Sequence, residues 1–381
     1  MHGVAEALTC RAAIRTAKAI VADIGEASAR RSKGLVELSK KTLTNSERDC
    51  MQVTEGLSLK LPLKLTTLKK SPGVRYSGAF KVIALRAWVE FLLTYNAWFM
   101  LCGLSKPDEP RERAILSKFW EMYRQLKPDH GIWQEVEKHQ VDLSRCAPLL
   151  FHGDEGRGRK RSAFMVLAFH SFLGRGTTLA NEIRKHRPYL SQRLNYCGNS
   201  YTHRMLVGVF PKILKDEVAF ADMLSFFTND AVDLFERGLE SQHGGRYHVA
   251  VLNVVGDWAF LAKVANLWRS YSTVEKRPRG PKSDPKGICH LCKAGQLNIP
   301  FEDFRRYPGW MATMFEPGDV PWTCRPTLLR LVHEPAKEAS FFAFDYGILC
   351  NSDLQSHSWD RCWLSSANAC PEATWTRGSS S

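Results

Sequence analysis

The sequence predicts an α/β (α+β) protein whose central unit is a mixed sheet in the order β-β-β-α-β-α. Three observations predict it. Short apolar runs poor in charge recur at 148–154, 162–170, 205–210 and 247–255. A segment of helical period, 216–240, separates the third run from the fourth. An aspartate closes the first run, Asp154, and another stands just beyond the fourth, after Gly256, as Asp257.

Five segments follow from composition. Residues 1–75 read as a basic N-terminal helix and linker: 3–43 are rich in Ala, Leu, Arg and Lys, and 44–75 are polar and poorly patterned, ending in Lys69-Lys-Ser-Pro-Gly73. Residues 76–145 form a helical region, with one block at 79–103 and another at 110–126 that carries Glu112, Phe119, Trp120 and Tyr123. Residues 146–272 hold the sheet. Residues 273–350 begin with a basic Pro/Gly loop and form a Cys/His-containing insertion. The tail, 351–381, has eight serines and three tryptophans without a repeat, and is expected to be disordered or aberrant.

Within the sheet segment, 148–154 is a first strand. The Gly- and Arg-rich stretch 155–161 suits a turn, and 162–170 returns as a second strand. The run 205–210 supplies a third strand. The helix at 216–240 opens on Asp216 and Glu217, acids that favour a helix N-terminus, and is anchored by Val218, Met223, Phe226, Val232 and Phe235. The run 247–255 is uncharged and β-prone, which suits a central strand. A helix at 257–268 follows.

The chain has 381 residues and a net charge of +14, of which residues 1–75 carry +7. That asymmetry points to a polyanionic partner, DNA before membrane; a solubilising or targeting segment is the plainer alternative. Eleven scattered cysteines and no secretory signal fit a reducing, intracellular setting. The longest apolar stretch, 79–104, contains Lys81, Arg86 and Glu90 and reads as a buried helix, so no membrane is expected. Nucleophile-elbow, dinucleotide and kinase motifs are absent.

Asp154 and Asp257 are the residues that could carry chemistry. Carboxylates at the tips of neighbouring strands are hard oxygen ligands suited to Mg²⁺ or Mn²⁺, the pair of ions that supports phosphodiester transfer. A turn or helix-cap role is the alternative for each. Glu155 is an auxiliary candidate that strand alternation sends to the other face. Arg157, Arg159, Lys160 and Arg161, with Lys185 and Arg187, could meet backbone phosphates or form solvated turns. Cys289 and Cys292 have the spacing of a Zn²⁺ half-site, with Cys324 and His333 the nearest candidates to complete it and Cys350 and His290 behind them; a free cysteine pair is the alternative. Trp258, Trp268, Tyr271 and Trp310, with Lys263 and Arg269, could stack unpaired bases, though such aromatics more often fill a core.

Three strands, a helix and a return strand match the first half of an RNase H-like domain. Gly256-Asp-Trp-Ala-Phe-Leu-Ala-Lys263, a basic spacer and Gly287-Ile-Cys-His-Leu-Cys-Lys-Ala-Gly295 resemble the second-aspartate region of eukaryotic DDE transposases of the CACTA (En/Spm) and Kyakuja–Dileera–Zisupton groups. The resemblance covers about 145 to 350. It implies Asp154 and Asp257 as first and second catalytic acids, Cys289 and Cys292 as zinc ligands within an insertion, and Phe342-Ala-Phe-Asp345 as a later Asp motif. It also implies a nuclear protein of transposable-element origin that acts in DNA recombination and can form a homo-oligomer. The pattern departs at Asp345, which lacks the expected following histidine, and the chain ends before a helix bearing a third acid. A truncated, inactive form is therefore expected. A non-catalytic nucleic-acid-binding module and a soluble interaction protein are the alternatives.

Overall fold

The computed structural model describes residues 10–57, 61–69, 71–72, 80–104, 106–157, 163–173, 204–211, 217–271 and 286–344. Four helices come first: α1 (Cys10–Ile24), α2 (Glu26–Ala29), α3 (Lys33–Ser39) and α4 (Ser46–Gly56). Gly25, at φ 77°, turns the chain between the first two. Ile14, Ala17, Val36, Cys50 and Val53 are buried where α1, α3 and α4 meet.

A linker over 44–75 is thereby corrected. Residues 46–56 are helical, and β1 (Leu65–Thr67) pairs antiparallel with β2 (Lys81–Ile83). Cys50 and Val53 are the apolar residues of α4 described as buried, a thin stripe to read within a polar segment. The helix expected at 79–103 is likewise divided. Its first residues belong to β2, α5 spans Leu85–Thr94, and Asn96 at φ 51° ends it. Asn is one of the few residues that enters that left-handed region at small cost.

Helix α6 (Glu109–Leu126) starts where Asp108 accepts the backbone N–H of Arg111 and Pro110 occupies the first turn. Helix α7 (Ile132–His139) follows, and Gln140 in the left-handed region closes it. The sheet then forms from β3 (Cys146–Arg157), β4 (Ala163–Ser171) and β5 (Met205–Pro211). After α8 (Glu217–Glu236) come β6 (Leu239–Glu240), β7 (Arg246–Gly256), α9 (Trp258–Val264) and, far along the chain, β8 (Phe342–Phe344).

The strand order is β5-β4-β3-β7-β6, with β8 also on β7. Strand β4 runs antiparallel to both of its neighbours, β3 and β5. Strand β7 runs parallel to β3, and β8 runs parallel to β7. The protein is thus a mixed α/β structure. The helix read over 257–268 is real but shorter, ending at Val264.

Both faces of the sheet are covered over part of their length. On one, Leu149, Phe151, Leu167, Phe169, Val251 and Val254 are buried under α5, α8 and α9. Phe151 stacks on Phe227 of α8 with centroids 4.2 Å apart. Each such fully buried ring contributes roughly 1.5–3 kcal/mol. Arg86 fixes α5 to α8, its backbone N–H donating to Asp230 at 2.7 Å and its guanidinium pairing with Asp233. On the other face, α6 and α7 cover the start of β3 and β7 through Trp120, Ile132, Trp133, Cys146, Ala250 and Leu252. The Trp120 indole N–H donates to the Cys146 carbonyl at 2.9 Å.

Residues 286–344 carry a small core of their own, Ile288, Cys289, Cys292, Ala294 and Trp310. Arg269, 1% exposed, anchors the segment by a bidentate pair with Asp319.

Candidate functional site

The site is built where the pairing of β3 with β7 ends, at the last residue of β7 and four residues before the end of β3. Gly153 and Gly256 are opposite each other in the parallel ladder, and Asp154 and Asp257 are the next residues of the two strands. Neighbouring strands are about 4.8 Å apart. Strand adjacency and register therefore bring the two aspartates to one edge of the molecule. Both glycines are required there: a Cβ on Gly153 would lie 2.0 Å from the Phe260 ring, and one on Gly256 would lie 2.3 Å from it. The ring occupies the space above both glycines and draws the first turn of α9 onto the strand ends.

Asp154 is exposed and pairs across β4 with Val166. It shares its face with Leu150 and His152, because β3 continues without interruption to Arg157. Glu155 accordingly falls on the opposite face. Asp257 caps α9: its Oδ1 accepts the Phe260 backbone N–H at 2.7 Å. The cap role anticipated as an alternative is thus real, and it engages one of the two carboxylate oxygens.

His152 and His170 stand beside Asp154 on the same face, both buried, with ring centroids 6.2 Å apart. Arg204 Nη1 lies 3.5 Å from His152 Nδ1. Sequence reasoning passed over these histidines. The signal available was alternation, since His152 is two residues before Asp154 on one strand.

Aromatic side chains flank the tip. Trp258 lies 4.1 Å from Phe344 and 5.8 Å from Tyr271, centroid to centroid. The other members of the proposed stacking set are committed elsewhere. Trp310 is in the small core, the Trp268 indole N–H donates to the Val320 carbonyl at 2.8 Å, Lys263 covers the Phe220 ring, and Arg269 is buried on Asp319.

Cys289 and Cys292 are buried side by side. A hydrogen bond from Cys292 holds the Cys289 thiol below its usual range, helped by the backbone N–H of Leu291 at 3.4 Å and the charge of Arg269. Their expected partners are not with them. Cys324 is exposed in a turn near Asn266. His333 Nδ1 is 2.7 Å from the Leu331 carbonyl, and its Nε2 is 3.3 Å from Glu338. His290 is tied through Nε2 to the Phe342 carbonyl, and burial pushes its pKa down to about 4. The four-ligand set Cys289, Cys292, Cys324 and His333 is therefore corrected: backbone and carboxylate partners hold His333 where it is, and Cys324 faces solvent.

Among the described residues, the one cluster of three His, Cys, Asp or Glu side chains that could hold a metal ion is Glu135, His139 and Glu236. Neither the strand-tip aspartates nor the cysteine pair belongs to it. Asp345, Arg159, Lys160, Arg161, Lys185, Arg187 and Cys350 lie outside the described residues, and the side chain of Arg157 is also undescribed. No helix among the described residues is long and apolar enough to cross a membrane. No protein-family model matches the chain, and no curated protein matches it significantly.

Proposed function

We propose that the chain is a transposase-derived DNA-binding protein with an RNase H-like core and a partial two-metal phosphodiester-transfer site at Asp154 and Asp257. The observation that carries this reading is the register of β3 against β7, which makes the two aspartates successive to a paired glycine couple. The strand pattern supports it: three antiparallel strands, a helix, and a fourth strand returning parallel to the first, with β8 parallel beyond it. Asp154 and Asp257 would hold Mg²⁺ or Mn²⁺, for which oxygen donors are the right ligands; when bound, such ions activate a water or 3′-hydroxyl and stabilise the leaving oxygen. The residues fit that role in part, because the helix cap occupies one oxygen of Asp257. On this reading the later acid is Asp345, the compartment is the nucleus, and Cys289 and Cys292 contribute to a structural zinc site.

The test is Mn²⁺ binding and Mn²⁺- or Mg²⁺-dependent nicking of supercoiled DNA. Asp257→Asn keeps the cap, because Asn caps helices as well as Asp does. Loss of metal binding in a variant that still folds supports the proposal. Unchanged Mn²⁺ affinity in both Asp154→Asn and Asp257→Asn refutes it.

A second reading, a nucleic-acid-binding module without catalysis, is favoured by the +14 net charge concentrated toward the N-terminus. It predicts DNA affinity that falls steeply with salt and is indifferent to both aspartate substitutions.

A further inference from the structure

The seam between α7 and the end of α8 carries a constellation that the strand-tip reading does not use. Glu135 and His139 are four residues apart on α7, hence on one helical face, and Glu236 is the last residue of α8. His139 Nε2 lies 3.2 Å from Glu135 Oε2 and 3.8 Å from Glu236 Oε1. One oxygen from each glutamate and the imidazole nitrogen are all within 4.8 Å of one another. Tetrahedral Zn²⁺, with bonds of about 2.0–2.1 Å to nitrogen and oxygen, separates its ligand atoms by roughly 3.3 Å. Two edges of the triangle are already near that length.

Two further observations point to a cation. His139 Nε2 is buried between one oxygen of each glutamate, 3.2 Å from Glu135 and 3.8 Å from Glu236, without a well-aligned hydrogen bond to either. The two helices are also fixed relative to each other: Trp133 and Ile132 of α7 share one apolar cluster with Phe235 of α8 and with Ala250 and Leu252 of β7. The ligands thus come from rigid elements, which lowers the ordering cost of binding. The charged neighbour is Lys138, whose Nζ is 2.8 Å from Glu135 Oε2. It neutralises Glu135 and competes with a metal for the same oxygen.

We propose that Glu135, His139 and Glu236 bind a divalent transition-metal ion, with Zn²⁺ the best fit, and that the ion staples α7 to the end of α8. The nitrogen ligand and the three-donor set favour Zn²⁺ over Mg²⁺, which asks for six oxygens in octahedral array. Water takes the fourth position.

The experiment is titration of the chelator-treated full chain with Zn²⁺ alone, against a chromophoric competitor, in a Cys289→Ser/Cys292→Ser background that removes the thiolates. The expected result is one Zn²⁺ per chain and a raised melting temperature. His139→Gln and Glu236→Gln should each weaken binding at least tenfold while circular dichroism stays unchanged. Lys138→Ala should tighten binding severalfold, because the competing ammonium is gone. Lys138→Ala is also the control for folding, since a plain salt-bridge cluster would only be weakened by it. Absence of stoichiometric Zn²⁺ in the cysteine-free chain, or equal affinity in His139→Gln, overturns the proposal. This outcome is independent of Mn²⁺ binding at the strand tips.

Discussion

Gly153 and Gly256 face each other across two parallel strands, and the space their missing side chains leave is filled by a single ring, that of Phe260. The contact is local but its effect is directional. It sets the first turn of α9 against the strand ends, and it fixes the two residues that follow the glycines, Asp154 and Asp257.

Replacing Gly153 by alanine should therefore be costly. The added carbon would sit 2.0 Å from the Phe260 ring, inside any real contact distance. Overpacking of this kind destabilises by about 1–3 kcal/mol. Urea unfolding of Gly153→Ala, and of the double variant with Phe260→Ala, should show non-additive losses, because the second change removes the clash made by the first.

The cap at Asp257 should be separable from any metal role. Asp257→Asn is expected to leave stability nearly unchanged, whereas Asp257→Ala should cost about 1 kcal/mol through the lost acceptor for the Phe260 N–H. Thermal denaturation without divalent ions reads the difference.

Stability should fall with acid before the ordinary carboxylates titrate. Burial pushes His130 and His290 down to about 4. In the unfolded chain both take up a proton near 6.5. Between those values the unfolded state binds more protons than the folded one, so stability rises with pH and is lost as pH falls from about 6.5 toward 4. Urea midpoints at pH 7, 6 and 5 should decline in that window, and His290→Asn should flatten the slope.

Arg269 should behave as a keystone of the 286–344 segment. Its guanidinium is buried against Asp319, and removing one partner of a buried pair costs about 3–5 kcal/mol, because the other charge is left unpaired. Arg269→Met is expected to loosen the cysteine-containing core, seen as faster alkylation of the buried Cys289 and Cys292 under native conditions.

The legible parts of the fold were those whose pattern repeats. The uncharged run of β7 announced its strand to within one residue at each end, and the spaced apolar residues of α8 announced its start; the helix expected to 240 stops at Glu236, and Leu239–Glu240 form β6 instead. The three-residue strands β1, β2 and β8 carry too few side chains for alternation to register, and α4 scatters its few apolar residues among polar and charged ones. The aspartate pair was readable because each closes an apolar run, but only Asp257 follows the end of its strand: the turn expected at 155–161 begins later, because β3 stays paired with β4 to Arg157 and Asp154 lies inside it. The Glu135, His139 and Glu236 group was not: Glu236 comes from a distant helix, and only the tertiary seam makes the three neighbours. Cys324 and His333 show the reverse error, since proximity in sequence to a cysteine pair said nothing of what backbone and carboxylate groups would claim them.

The parallel addition of β8 to the open flank of β7 has a temporal consequence. Phe342, Ala343 and Phe344 pair with Val254, Val255 and Gly256, yet nearly the whole C-terminal part of the described chain separates them. A ribosome delivers β3, β4, β5 and β7 long before β8 emerges. During that interval the end of β7 presents bare N–H and C=O groups, the template on which stray strands add. The nascent chain is therefore most vulnerable to aggregation between the synthesis of the fourth strand and the arrival of the last, and a chaperone that guards an exposed strand edge would act in that interval.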